Sequence, residues 1–266
     1  ECRQWGAALC HFKYDCLLFH NKSPKGFSIL NIKKILLCGM VSGFISTSAM
    51  ADNVGGVVWD PDSVNSFPAA EDFFSSGNIF ENAAFQSGDI VNGFGIFDQF
   101  NSDVNNVNSF CPGCELTFTF SMELVDFNPI AGNMGTFEFK NLAIDIFVDH
   151  NPNYAGTQAT AGEGTLWLSL LADTNLTGIG TNLGTGSDTG TGSANLSVVG
   201  GIAASNFDTN GEAGGSDLVL SSSFQPGGPN GLLKGGFELT GNSIPEPTSI
   251  ALLGLGLLGF AAARKR

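Results

Sequence analysis

The feature that most restricts this chain is a two-residue period. "LTFTFSMEL" puts Leu116, Phe118, Phe120 and Met122 on one face and Thr117, Thr119 and Ser121 on the other. Successive strand side chains point to opposite faces, so this alternation suits a sheet with one buried face and gives a helix no apolar stripe. "GTFEFKNLAIDIFVDH" repeats it, with Phe137 and Phe139 opposite Thr136, Glu138 and Lys140. The phase slips at Asn141. Leu142, Ile144, Ile146 and Val148 then oppose Asp145 and Asp149, although Phe147 interrupts the polar face. "GTLWLSLLA", "ANLSVVGGIA", "SDLVLSSSF" and "GGFELTG" continue the theme less cleanly, between clusters of Gly, Asn, Asp and Pro. No window of about twelve residues reads as an amphipathic helix. The expected body is all-β, an antiparallel β-sandwich or jelly roll. Before it, "FPAAEDFFSSGNIFENAAF" is expected to hold a helical turn and "GFGIFDQFN" a strand. Residues 177–195, "TGIGTNLGTGSDTGTGSAN", have few large side chains and are expected to form a long loop or turn-rich insert without core.

Charge is segregated along the chain. Six Lys or Arg fall within residues 1–51 and three more are Arg264, Lys265 and Arg266, while between Asp52 and Pro247 only Lys140 and Lys234 are basic, against 23 Asp and Glu. So acidic a body repels phosphate backbones and anionic membrane surfaces, which excludes nucleic acid as a partner.

"NIKKILLCGMVSGFISTSAMADN" has the three parts of a secretory signal peptide. Lys33 and Lys34 are the charged region, Ile35 to Ile45 the apolar region, and Ala49 and Ala51 occupy the −3 and −1 positions before Asp52. Leu37 before Cys38 is wrong for a lipobox. Residues 30–51 are thus read as the signal peptide, handed to the Sec translocon. Residues 1–29 have no clear period. They are expected to be an extension absent from the mature molecule, with translation starting near Leu30.

Past Asp52 only Cys111 and Cys114 remain, and an even count in an exported body favours a disulfide. A redox C-x-x-C would open a helix, but here a strand follows at once. Pro112 and Gly113 suit the centre of a type II turn, so "CPGC" is read as a stapled turn. Catalytic readings are thin, because His150 is the body's single histidine and no Gly-x-Ser-x-Gly elbow occurs. No enzyme is expected, and no cofactor. "NFDTNGEAGGSD" offers Asp208, Asn210, Glu212 and Asp217 as calcium ligands, yet the loop pattern is incomplete and ordinary Asx turns explain the same residues.

The last stretch, residues 242–266, contains Pro245-Glu246-Pro247, an apolar run from Ile250 to Ala263, and the Arg264-Lys265-Arg266 cluster. Fourteen helical residues would span ~21 Å, short of a ~30 Å hydrocarbon core, enough for a temporary transmembrane helix. The basic cluster would stay cytoplasmic. In order and type these three parts resemble the PEP-CTERM sorting signal, a tail also called the ice-binding protein C-terminal domain. The resemblance implies recognition by exosortase, a membrane protease, near Pro245 to Pro247. It also implies transient inner-membrane anchoring, then a place at the cell surface or outside.

The expected organisation is therefore an exported domain at 52–241 followed by the sorting signal. Its expected role is structural or adhesive within an exopolysaccharide or biofilm layer. The alternative is a lectin-like carbohydrate-binding sandwich, with or without calcium dependence, which exposed Trp59, Tyr154 or Trp167 would favour.

Overall fold

The computed structural model describes residues 52–60, 72–101, 109–130, 132–183 and 185–244. A short hairpin, β1 (Asp52–Val54) and β2 (Val57–Trp59), precedes β3 (Phe73–Glu81), β4 (Ile90–Phe100), β5 (Glu115–Ile130) and β6 (Met134–Asp149). A single helical turn, α1 (Gln158–Ala161), leads to β7 (Thr165–Ala172), β8 (Leu176–Thr181) and β9 (Thr189–Gly200). A second turn, α2 (Ala204–Phe207), leads to β10 (Leu218–Phe224) and β11 (Leu233–Gly241).

From β3 to β11 each strand pairs antiparallel with its neighbour in sequence, except that β7 and β8 do not pair with each other, and β11 pairs back onto β3. β7 and β8 lie end to end between β6 and β9: β7 pairs with β6 at Ala143 to Val148, and β8 at Gly135 to Phe139. The result is an eight-stranded antiparallel barrel with up-and-down connectivity. The all-β antiparallel class matches the expectation, but the sandwich or jelly-roll arrangement does not. Alternation states which face of a strand is buried, whereas closure depends on pairing β11 with β3, which no local pattern encodes. The expected C-terminal transmembrane helix lies outside the described residues, among which no helix is long and apolar enough to cross a membrane.

Two further expectations change. Of the stretch expected to hold a helical turn, Phe73 to Glu81 is strand and residues 67–71 lie outside the described residues, and most of residues 177–195 belong to β8 and β9. In those two strands Thr177, Thr191 and Ser193 face outward and exposed, while Gly178, Gly190 and Gly192 occupy the inward phase. The missing inward volume comes from a phenylalanine on the next strand. Phe137 is paired with Gly178, and Phe224 with Gly190. The same direct pairing joins Phe120 to Gly93, Phe118 to Gly95 and Phe237 to Gly77. A Cβ on Gly93 would lie 2.1 Å from the Phe120 ring, and one on Gly178 would lie 2.3 Å from Phe137. Glycine in a strand interior is a weakness unless something must approach the backbone closely, and here an aromatic ring does. An eight-stranded barrel is just wide enough to be filled by side chains. Phe97, Phe118, Leu142, Ile146, Leu170 and Leu239 fill this one.

The phase slip at Asn141 is a bulge. Ser121 pairs with Ala143 and Glu123 with Lys140, so Met122 faces both Asn141 and Leu142. Asn141 takes φ +57°, which asparagine tolerates better than most residues.

Candidate functional site

The barrel has two unlike ends and one grooved wall. At one end, where β4, β6, β9 and β11 finish, the β1–β2 hairpin forms a lid. Trp59, Phe73, Phe100, Phe110, Trp167 and Phe207 pack beneath it, all nearly inaccessible. Trp59 stacks on Phe207 at 5.2 Å and meets Trp167 edge-on at 5.9 Å. The indole N–H of Trp167 donates to the Val54 carbonyl at 2.9 Å, and that of Trp59 to the Ser243 hydroxyl at 3.1 Å. Buried indoles thus keep their polar edge satisfied.

Cys111 and Cys114 form a disulfide at this end. The Cys114 N–H donates to the Cys111 carbonyl at 3.0 Å and Gly113 takes φ +76°, the geometry of a type II turn. Both sulfurs are buried beside Gly56 of the lid.

Both junctions with the targeting segments meet here. Asp52, the residue after the expected signal cleavage, accepts from the Asn206 side-chain amide at 3.1 Å. The Ile244 N–H donates to the Asn206 carbonyl at 2.7 Å. The Ser243 N–H donates to the Asp72 carboxylate at 2.6 Å. Tertiary hydrogen bonds therefore hold the chain up to the residue before Pro245. Ala49, Ala51, Pro245, Glu246, Pro247, Arg264, Lys265 and Arg266 lie outside the described residues.

The calcium candidates near this end are engaged otherwise. The two Asp217 carboxylate oxygens accept from the backbone N–H groups of Asn210, at 2.6 Å, and Val198, at 2.7 Å. The Asn210 side chain donates to Asp208 at 3.1 Å. These are Asx-type contacts that order the loop, and no group of three or more His, Cys, Asp or Glu suited to a metal occurs among the described residues. Trp59 and Trp167 are core, so neither offers a sugar-stacking face. Tyr154 is half-buried, and its hydroxyl has no hydrogen-bond partner. Burial first, then the charges of Asp98 and Glu115, push that hydroxyl up to about 12.

The grooved wall runs across the outside of β6, β8, β9, β10, β11 and β3. Pairing aligns Glu138, Thr177, Ser193, Ser221, Glu238 and Ser76 in one row. Thr136, Ile179, Thr191 and Ser223 form a second row. Together with Asn128 and Asp98 they bound an open groove of about 960 Å3, rich in hydroxyl groups. Burial raises the Asp98 carboxyl above the usual range, and the Asn78 side-chain amide donates to it.

The opposite end has no lid among the described residues. Val91, Leu124, Phe127, Met134, Phe139 and Leu183 surround a cavity of about 510 Å3. At its inner edge Glu81 shares the inward phase of β3 with Phe73, Ser75, Gly77 and Ile79. It also lines the much smaller gap of about 30 Å3 inside the barrel. The side chain keeps some exposed surface, yet desolvation by burial pushes its carboxyl from an ordinary 4.5 to about 7. The surface left to it opens onto the cavity. Sequence reading missed this acid. Its signal was there, an acid in phase with the apolar side of "FFSSGNIFE".

Comparison with protein families matches residues 243–266 to the PEP-CTERM protein-sorting motif. No curated protein and no solved structure matches the chain. The motif implies an exported protein, targeted to exosortase and located at the cell surface or outside the cell.

Proposed function

We propose that the barrel is the mature, non-enzymatic body of an exosortase-processed surface protein, with a structural or adhesive role in an extracellular polysaccharide or biofilm layer. One observation carries this reading. The sorting motif begins at residue 243, and the backbone is still hydrogen-bonded into the barrel at Ile244. Cleavage near Pro245 to Pro247 would remove the tail and leave each barrel strand whole. A rigid barrel with an acidic surface and a hydroxyl-lined wall suits a hydrated polysaccharide matrix.

The test is the C-terminal mass of the protein from cells with and without exosortase. Loss of the tail only where exosortase is present supports the reading. The same full-length tail in both cells overturns it.

The groove favours the second reading, carbohydrate binding, since rows of Ser, Thr and Asn can hydrogen-bond sugar hydroxyls. Burial of Trp59 and Trp167 takes away two of the three stacking aromatics that this reading invoked, and the third, Tyr154, is half-buried. Binding on a glycan array, lost on Ser221→Leu with Ser193→Leu, would favour it. Binding that survives both changes would not.

A further inference from the structure

We propose that the cavity at the lidless end of the barrel binds an apolar small molecule carrying one protonated amine. Its volume of about 510 Å3 lies within the roughly 300–1,000 Å3 of small-molecule sites. Its wall is mostly Val, Leu, Phe, Met and Pro, contributed by β4, β5 and β6, by Leu176, Phe224 and Leu233 of β8, β10 and β11, and by the turns beside them. Such a surface takes an apolar body by burial alone.

The head group follows from charge. Glu81 presents a carboxyl with no hydrogen-bond or ion-pair partner among the described residues. A carboxylate placed away from water is costly unless it is paired. Among the described residues no Lys, Arg or His lines the cavity, whereas Asp188 does. Of the two lysines in the body, Lys140 is taken by Glu123 at 2.9 Å. Lys234 is exposed, in the phase opposite to Leu233, which lines the cavity. An acidic ligand would meet two carboxyls and no cation. A neutral ligand would leave Glu81 without its charge partner. An ammonium group supplies both the charge and the donor, in the strong charge-assisted form of the bond.

The experiment uses the full exported chain with N-phenyl-1-naphthylamine as fluorescent reporter. Dodecylamine and dodecanol serve as competitors, both below the concentrations at which they self-associate. The reporter should bind saturably, and dodecylamine should displace it at about one-tenth the dodecanol concentration. Glu81→Gln should keep reporter binding and bring that ratio to about one. Ala84→Trp, or the milder Val91→Phe, should fill the cavity and abolish reporter binding while the melting transition persists. Absence of saturable binding overturns the proposal. So does equal displacement by the two competitors, or a preference for the amine that survives Glu81→Gln.

Discussion

The two ends of this barrel are built from the same eight strands and finish differently. The lidded end gathers Trp59, Trp167 and four buried phenylalanines under a hairpin, with each indole N–H satisfied. The other end leaves a cavity, half-exposed Phe127 and Ile130, and a carboxyl without a partner. Closing the sheet removes its edges, but it does not fill the ends. Filling requires side chains from outside the strand ladder, supplied here by β1, β2 and α2 at one end. Both expected processing junctions, beside Asp52 and Ile244, lie at that filled end, where the barrel is best held together. The open cavity lies at the far end from both junctions.

The contrast can be tested by substitution, starting with the largest effect. Trp167→Ala beneath the lid should cost about 3–5 kcal/mol in urea unfolding, because it leaves a hole against the rings of Trp59, Phe100 and Phe207. Phe127→Ala at the cavity rim should cost under ~1 kcal/mol, since that ring is already 39% exposed. Equal losses would abolish the distinction between the ends.

Glu81→Gln comes next, and its sign depends on pH. The folded-state pKa is raised, to about 7 from an ordinary 4.5. The folded state therefore holds the proton more tightly than the unfolded chain does. Stability linked to this group is fully present below about pH 4.5 and is lost as pH rises through about 7. At ~1.36 kcal/mol per pKa unit, Glu81→Gln should stabilise the protein by about 3 kcal/mol at pH 8 and by almost nothing at pH 4. Unfolding titrations at the two pH values measure this. A pH-independent difference would remove Glu81 from the account.

Gly178→Val tests the filling between the ends. Its side chain would collide with Phe137, and a loss of about 1–3 kcal/mol is expected. The outward neighbour substitution, Thr177→Val, should fall within about 0.5 kcal/mol of zero. The smallest effect concerns calcium. Because backbone N–H groups occupy the Asp217 carboxylate, calcium against chelator should move stability by less than ~0.5 kcal/mol. A calcium-dependent rise in melting temperature would return Asp208, Asn210, Glu212 and Asp217 to consideration as ligands.

Much of this was legible along the chain, and the failures share a cause. Period-two alternation located β5 and β6, and even the bulge at Asn141 appeared as a phase slip. "CPGC" read correctly as a stapled turn because Pro and Gly set the local dihedral angles. The Thr/Gly run at 177–195 was misread because glycine occupies most of the inward face of its strands, leaving Leu176, Ala194 and Leu196 as their own buried side chains. Much of their core comes from Phe137 and Phe224, some forty residues before one strand and some thirty after the other. The same gap in information hid Glu81, since a single acid at a strand end looks like solvent-facing punctuation until the strands around it are known.

Local sequence thus determined the strands, their buried faces, the stapled turn and the sorting motif, because each depends on residues within a few positions of one another. Tertiary structure alone decided that the ladder closes, that Phe covers Gly across strands, and that one end is sealed while the other holds a carboxyl in an apolar cavity. Those outcomes arise from pairings such as Phe237 with Gly77 and from Asn206 meeting both Asp52 and Ile244. Contacts across so many residues are fixed by how volumes and hydrogen bonds fit together in space, which a linear pattern does not contain.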